Sequence, residues 1–335
     1  MKKIGIIGSG TWGTALAKLL CENGHEITLW SAIKSEVENL VSTHIHPNLP
    51  QIVLPTEIQF TTDIEKTCKE KDFVICAVPS VYVRSSIHLA VPFIEKNTIV
   101  ISVTKGIEEN SLLTMTEVIS DELEKAGKHL PIAALSGPTH AEEVAAGLAT
   151  TIVAASENLS IARQIKAVFN NSYFKVFGTT DRRGVELCGA LKNIIALAAG
   201  ISDGLGYGDN AKAAVITRGM AEVSYLGTRM GCVQHTFFGL SGIGDMIVTA
   251  TSRHSRNNNA GRLIGSGMPV DEAIKKIGMV VEGINVLPAA MELERKLGVQ
   301  LPIIDAVNDV VNNRASVQTV AKNLLAKPAT REFRT

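Results

Sequence analysis

The sequence predicts an α/β fold, in which a doubly wound and mostly parallel sheet is followed by a C-terminal all-α domain. Three observations lead to this prediction. Up to about residue 182, short apolar runs typical of buried parallel strands alternate with segments of helical apolar spacing. The first of these runs leads directly into a glycine-rich turn. After Asp181 the alternation stops, and Ala, Leu and Ile recur at helical spacing alone.

The glycine-rich turn follows a strand predicted at residues 4–7 and carries Gly8, Gly10 and Gly13 in G-x-G-x-x-G spacing. Gly8 permits a tight turn, Gly10 leaves room for a pyrophosphate, and Gly13 lets the following helix pack close to the strand. That helix would point its N-terminus at the anion. The pattern predicts a Rossmann-type dinucleotide site. The alternatives are a glycine-rich turn of another α/β protein and a site for a nucleotide-like methyl donor.

The remaining elements follow in chain order. Further strands are predicted at residues 25–30, 73–78, 98–103, 132–135, 151–155 and 173–177. Helices are predicted at residues 36–41, 112–125, 185–199, 211–229, 269–277, 286–297 and 303–311. We therefore expect a dinucleotide-binding Rossmann domain over residues 1–182 and an all-helical substrate and catalytic domain over residues 183–335. The cleft between two such domains is the expected place for a substrate.

Polar positions follow the ends of several predicted strands. Besides the glycine loop, they are Ser31, Ser80, Lys105 and Thr139. Because the carboxyl ends of parallel strands lie along one edge of a sheet, where ligands bind, we expect these positions to lie along one rim.

Charge and cysteine content argue against several functional classes. The 335 residues include 33 Lys plus Arg and 33 Asp plus Glu, so the neutral chain gives no sign of a nucleic-acid partner or an anionic membrane. The five cysteines form no C-x-x-C pair, which indicates reduced thiols and a cytoplasmic location. No apolar stretch reaches the roughly 18 residues that a membrane span requires.

Lys192 lies within an otherwise apolar helical segment, next to Gly189 and Ala190. Burial favours the neutral form of a lysine, which suits an acid–base role near neutral pH. The small neighbouring residues would let another element pack closely. The alternative is a lysine whose long side chain carries its ammonium group to the surface.

A second cluster of polar residues follows the glycine-punctuated stretch that ends at Asp245. We interpret Ser252–Asn257 as a loop in which Arg256 holds a phosphate, with Ser255 and Asn257 as further donors. Lys105 is a candidate for the same anion. The alternatives are a solvated basic turn and an ordinary exposed lysine. His44 and His46 have no third metal ligand at useful spacing, so we expect no metal site there.

Taken together, these motifs resemble those of bacterial NAD(P)-dependent glycerol-3-phosphate dehydrogenases over nearly the whole chain. The resemblance is carried, in the order of the family, by residues 8–15, 102–106, 136–139, 185–193, 217–219, 242–245, 255–257 and 280–283. It implies reversible hydride transfer from NADP(H) or NAD(H) that reduces dihydroxyacetone phosphate to sn-glycerol 3-phosphate for phospholipid biosynthesis. It also implies a cytoplasmic homodimer.

The resemblance also implies site residues. Lys192 is the expected proton donor. The substrate shell would consist of Lys105, Gly137, Thr139, Lys192, Asp245, Ser255, Arg256 and Asn257. The cofactor contacts would come from Gly8, Gly10, Thr11, Trp12, Gly13, Lys105, Ala141, Arg256, Val280 and Glu282.

The sequence departs from the family after the second strand, where Ala32 and Ile33 replace the basic or His residues of NADP-preferring members. An NAD-specific site would carry Asp or Glu near Ser31, and Lys34 is the nearest charge in the sequence. We therefore expect both cofactors to be used, with a modest preference for NADPH. Two competing functions are a β-hydroxyacid dehydrogenase and a dinucleotide-binding regulator without turnover.

Overall fold

The structure, a computed structural model, describes residues 1–326. The chain forms two compact units. Unit one contains Met1–Lys105 and Leu113–Arg182, and unit two contains Gly106–Leu112 and the described residues from Arg183 onward. The last part of the predicted second domain, residues 327–335, lies outside the described residues.

Unit one is built on a single sheet. Its strands are β1 (Lys3–Ile7), β2 (Glu26–Trp30), β3 (Gln59–Thr61), β4 (Phe73–Cys76), β5 (Ile99–Ser102), β6 (Ile132–Ser136), β7 (Thr150–Ala155) and β8 (Phe174–Thr179). The eight strands are ordered β3-β2-β1-β4-β5-β6-β7-β8. All neighbours pair in parallel except β6 and β7, which are antiparallel. The predicted mostly parallel sheet is confirmed.

Helices cover both faces of this sheet. They are α1 (Thr11–Glu22), α2 (Lys34–Thr43), α3 (Ile64–Cys68), α4 (Val83–Ala90), α5 (Met115–Lys125), α6 (Ala141–Ala145) and α7 (Leu159–Phe169), with short 3₁₀ turns at Ser80–Tyr82 and Val91–Phe93. Ile4 and Ile75 pack in one core with α1 and α7, whereas Val74 and Val100 pack in another core with α4 and α5. This alternation along each strand gives the doubly wound arrangement.

The described part of unit two contains helices and no strand. They are α8 (Arg182–Gly204), α9 (Gly208–Arg229), α10 (Gln234–Phe237), α11 (Asp245–Thr251), α12 (Arg256–Gly265), α13 (Val270–Ile277), α14 (Glu282–Asn285), α15 (Leu287–Leu297), α16 (Pro302–Val311) and α17 (Val317–Ala326). A π-helical turn at Leu240–Gly244 leads into α11.

Helix α8 is the centre of unit two. It is long and apolar enough to cross a membrane by length and composition, but 94% of its most apolar window is buried within the protein. A Cβ on Gly200 would lie 2.1 Å from the carbonyl oxygen of Asn258, and one on Gly261 would lie 2.2 Å from that of Leu197. Glycines therefore let α8 and α12 pack at closer range than any other residue type would allow.

The structure corrects several predicted boundaries. Helix α5 begins at Met115 rather than at residue 112, because Leu112 has a φ of 59° and Thr114 forms a capping box with Glu117. The elements that were not predicted are strand β3 and helices α3, α4, α6, α7, α10, α11, α14 and α17. Helix α12 was interpreted partly as a loop because its first turn is polar; Ser255 caps it by accepting a hydrogen bond from the Asn258 N–H.

Candidate functional site

The glycine loop has the geometry that a dinucleotide needs. Gly8 has a φ of +116°, and a Cβ there would lie 2.8 Å from the backbone of Ala77. A Cβ on Gly13 would lie 2.0 Å from the Gly8 carbonyl oxygen, whereas one on Gly10 would have no other atom within 4 Å. No side chain caps the N-terminus of α1 at Gly10. The loop therefore packs tightly against the protein at Gly8 and Gly13 and leaves open space at Gly10. This arrangement fits a pyrophosphate bound at the helix N-terminus.

A carboxylate lies beside this loop, contrary to the expectation from sequence. Glu36, in the first turn of α2, accepts hydrogen bonds at Oε2 from the hydroxyl of Ser9 (2.9 Å) and from that of Ser31 (2.6 Å). Ser9 belongs to the glycine loop and Ser31 follows β2, and both are buried. The expectation that no acidic side chain lies near Ser31 is wrong, because the α-helical turn brings a residue five positions later back to the strand end.

The loop after α2 packs against the same turn. The imidazole of His46 is buried and accepts at Nδ1 from the Asn48 N–H at 3.0 Å, while the Asn48 amide donates to the Thr11 hydroxyl at 3.1 Å. Burial lowers the pKa of His46 below its ordinary value, although Glu36 opposes this shift. Among residues 1–326, no group of three or more His, Cys, Asp or Glu is placed to hold a metal ion.

A second part of unit one brings together three of the predicted substrate residues. The Lys105 Nζ donates to the Gly137 carbonyl at 3.3 Å, and the Thr139 hydroxyl donates to the same oxygen at 3.1 Å. Lys105 follows β5, and Gly137 and Thr139 follow β6, a parallel neighbour. Ala141, a predicted cofactor contact, is the first residue of α6. Strand order alone gathers these positions at the carboxyl edge of the sheet.

Unit two contains a buried ion pair at Lys192. Its Nζ lies 2.7 Å from Asp245 Oδ1, and the two side chains are 5% and 1% exposed. Lys192 also donates to the hydroxyl of Thr249, which in turn donates to the Asp245 carbonyl at 2.6 Å. Lys192 does not reach the surface, so that alternative is wrong. The Asp245 carboxylate and the Thr249 hydroxyl offset the free-energy cost of burying the ammonium group.

The predicted phosphate-binding residues begin helix α12. Ser255 is its N-cap, Arg256 is its first residue, and the first turn contains no acidic residue. Arg256 is exposed, whereas Ser255 and Asn257 are buried. A helix N-terminus carries a partial positive charge, which adds to the charge of an exposed guanidinium and favours a phosphate there.

A buried amide network connects this helix to two other elements. The Asn257 amide nitrogen donates to Asn193 Oδ1 at 3.0 Å, and Asn257 Oδ1 accepts from the Gly283 N–H at 2.8 Å. A Cβ on Gly283 would lie 2.5 Å from the Asn193 carbonyl oxygen. Val280 and Glu282, two predicted cofactor contacts, precede Gly283 in the chain. The network therefore links the residue after Lys192 to the start of α12 and to the first turn of α14.

The structure thus assembles the predicted residues into local groups within each unit. It also adds groups that the sequence reasoning missed. Thr249 is one helical turn beyond Asp245, so its i,i+4 spacing was a usable signal. Asn193 follows Lys192 directly. The contact between Glu36 and Ser31 could not be predicted, because the conformation of the turn between them does not follow from the sequence.

The cysteines are not candidates for the chemistry. All five are free thiols, and burial raises the pKa of both Cys68 and Cys76 to about 12. Neither forms an appreciable thiolate at neutral pH, so neither is an activated nucleophile.

Comparisons with known proteins cover both units. Residues 3–162 match the family model for the N-terminus of NAD-dependent glycerol-3-phosphate dehydrogenase, and residues 181–322 match that for its C-terminus. The chain is 54% identical over 329 residues to a glycerol-3-phosphate dehydrogenase (NAD(P)+) of Lactobacillus delbrueckii, covering 98% of each chain. It is 45% identical to that of Bacillus subtilis, covering 99% of this chain and 96% of the relative.

A solved structure agrees with these sequence matches. The crystal structure of glycerol-3-phosphate dehydrogenase from Coxiella burnetii superposes with a TM-score of 0.93 at 34% identity, covering 97% of this chain and 99% of that chain. The Rossmann-type sheet and the helical C-terminal part are therefore shared.

Proposed function

The chain belongs to the family of NAD-dependent glycerol-3-phosphate dehydrogenases, and we propose that it reduces dihydroxyacetone phosphate to sn-glycerol 3-phosphate with NAD(P)H. The reaction is reversible and supplies phospholipid biosynthesis. The observation that carries the proposal is the buried Lys192, held between Asp245 and Thr249. A binding module gains nothing from burying an ammonium group in this way, whereas a ketone reductase needs a proton donor.

We propose as cofactor contacts the residues that the family resemblance implies. They are Gly8, Gly10, Thr11, Trp12, Gly13, Lys105, Ala141, Arg256, Val280 and Glu282. The open backbone at Gly10 and the uncapped N-terminus of α1 support the pyrophosphate contacts. When bound, the reduced nicotinamide supplies the hydride that the ketone carbon accepts.

We assign the acid role to Lys192. Its Nζ donates a proton to the ketone oxygen as that oxygen gains negative charge, and takes the proton back in the reverse reaction. Asp245 and Thr249 fix the direction of the Nζ, since each occupies one of its hydrogen-bonding positions. A donor oriented in advance loses little entropy during the reaction.

The substrate phosphate is assigned to the start of α12, with Arg256 as its main ligand. A planar guanidinium makes two parallel hydrogen bonds to a phosphate, and the positive end of the helix dipole adds to the attraction. Ser255 and Asn257, which flank Arg256 in the chain, are proposed as further contacts. Lys105, Gly137 and Thr139 complete the proposed substrate shell. The hydrogen bonds that Lys105 and Thr139 both donate to the Gly137 carbonyl support this grouping.

We propose that residues 1–182 act as the dinucleotide-binding domain and residues 183–335 as the substrate and catalytic domain. We also propose that the protein works in the cytoplasm as a homodimer. The free cysteines and the balanced charge support the cytoplasmic location. The family resemblance supports the homodimer.

The proposal is tested with purified protein by following nicotinamide absorbance. Dihydroxyacetone phosphate should be reduced with a kcat/KM at least about 100-fold above that for dihydroxyacetone, because only the former engages Arg256. Faster turnover of a β-keto acid would assign the chain to the β-hydroxyacid dehydrogenases. Tight NADH binding without turnover of any of these substrates would make it a regulator.

A further inference from the structure

The carboxylate of Glu36 has no role in the function proposed above, yet it is held in a defined position. Its Oε2 accepts from Ser9 and Ser31, at 2.9 and 2.6 Å. The Ser31 hydroxyl is itself fixed, because it accepts from the Ile33 N–H at 3.1 Å. Glu36 is therefore anchored at once to the glycine loop and to the carboxyl end of β2.

One oxygen of the Glu36 carboxylate accepts both of these hydrogen bonds, and the other remains for a ligand. Both hydroxyls donate to the same oxygen, and Oε1 accepts no hydrogen bond from any residue of the described range 1–326. The adjacent imidazole of His46 is buried, and its lowered pKa leaves it neutral at pH 7. Lys34 extends from the same helix turn, but its Nζ lies 3.5 Å from Glu38. One carboxylate oxygen is thus available where a dinucleotide's adenosine ribose follows the pyrophosphate.

We propose that Glu36 selects the cofactor by accepting a hydrogen bond from the adenosine ribose of NADH and repelling the 2′-phosphate of NADPH. NADH is then the preferred cofactor, which reverses the modest NADPH preference expected from sequence. The inference rests on the proposed function for the identity of the cofactor. This arrangement differs from the usual one, in which the acidic residue stands at the end of the strand. Here Ser31 occupies the end of the strand, and Glu36 on the following helix supplies the negative charge.

The expected discrimination follows from the charges. A phosphate monoester carries about −1.5 to −2 at pH 7, and like charges placed together at an interface are strongly unfavourable. We expect the Kd for NADPH to exceed that for NADH by at least about tenfold.

The test measures the two Kd values by nicotinamide fluorescence in wild type, Glu36→Gln and Glu38→Gln. Glutamine keeps the length of the side chain and an acceptor oxygen but removes the charge. Glu38→Gln removes the same charge from an exposed position of the same helix. The ratio of Kd values should fall by about tenfold in Glu36→Gln and stay within about twofold in Glu38→Gln.

The inference is overturned if the wild type binds NADPH as tightly as NADH, or if the two variants change the ratio equally. Dihydroxyacetone phosphate turnover is measured in parallel. If the Kd ratio responds to Glu36→Gln while no turnover occurs, the inference stands and the proposed function fails. If turnover occurs while the ratio does not respond, only the inference fails.

Discussion

The buried pair of Lys192 and Asp245 makes a strong prediction about stability. Sequence alone shows Lys192 as a charge within an apolar helix and gives no partner for it. The structure supplies the partner, because Nζ and Asp245 Oδ1 are 2.7 Å apart and the side chains are 5% and 1% exposed. Methionine would leave the Asp245 carboxylate buried without its cation.

The size of the effect follows from that burial. Removing one partner of a buried pair costs about 3–5 kcal/mol, whereas replacing both partners by neutral groups is close to neutral or stabilising. We expect Lys192→Met and Asp245→Asn each to lower the free energy of unfolding by about 3 kcal/mol or more. The double variant should lose at least about 2 kcal/mol less than the sum of the single losses.

The assay is urea unfolding followed by circular dichroism in wild type, both single variants and the double variant. Lys212→Met is the matched control. Lys212 also forms an ion pair within unit two, at 2.9 Å from Asp203, but the two side chains are 21% and 17% exposed. Its loss should cost about 1 kcal/mol or less. Additive losses in the double variant, or equal losses for the two lysines, would refute the reasoning.

Three further predictions concern the site. Lys192→Met should lower kcat by about 10²–10⁴-fold in folded protein without changing the Kd for NADH; a drop below about tenfold would assign the proton to another donor. Arg256→Lys should raise the KM for dihydroxyacetone phosphate and leave dihydroxyacetone kinetics nearly unchanged, because a point charge replaces a two-pronged donor; equal losses would remove Arg256 from the phosphate site. Gly10→Ala should lower the affinity for NADH and leave the melting temperature unchanged. Gly13→Ala should lower both the affinity for NADH and the melting temperature, because its Cβ would lie 2.0 Å from the Gly8 carbonyl oxygen. Identical behaviour of the two variants would contradict the loop geometry.

Much of the fold could be predicted because its signals are local. Buried parallel strands are continuous apolar runs, and glycine spacing marks the first turn. Two elements that were missed or partly misassigned are stabilised from outside the element. Strand β3 is three residues long and is stabilised by β2, and the polar first turn of α12 is stabilised by its cap and by the amide of Asn257.

In the site, too, local features could be predicted from the sequence and contacts between distant residues could not. Lys192 stands out in sequence as a charge among apolar residues, but its partners, Asp245 and Thr249, lie 53 and 57 positions away. Glu36 could not be predicted as a neighbour of Ser9, because that contact joins helix α2 to the glycine loop, and the two residues are 27 positions apart. Contacts of this kind depend on the path of the chain in space, which periodicity and spacing do not give.

The central claim is that this chain reduces a phosphorylated ketone. The most direct measurement incubates wild-type protein with NADH and dihydroxyacetone phosphate, and then quantifies cofactor oxidation and sn-glycerol 3-phosphate in one sample. The account predicts one molecule of the sn-3 product for each cofactor oxidised, and the reverse reaction when sn-glycerol 3-phosphate and NAD+ are supplied. Protein that binds NADH but leaves dihydroxyacetone phosphate unreduced with either NADH or NADPH would contradict it.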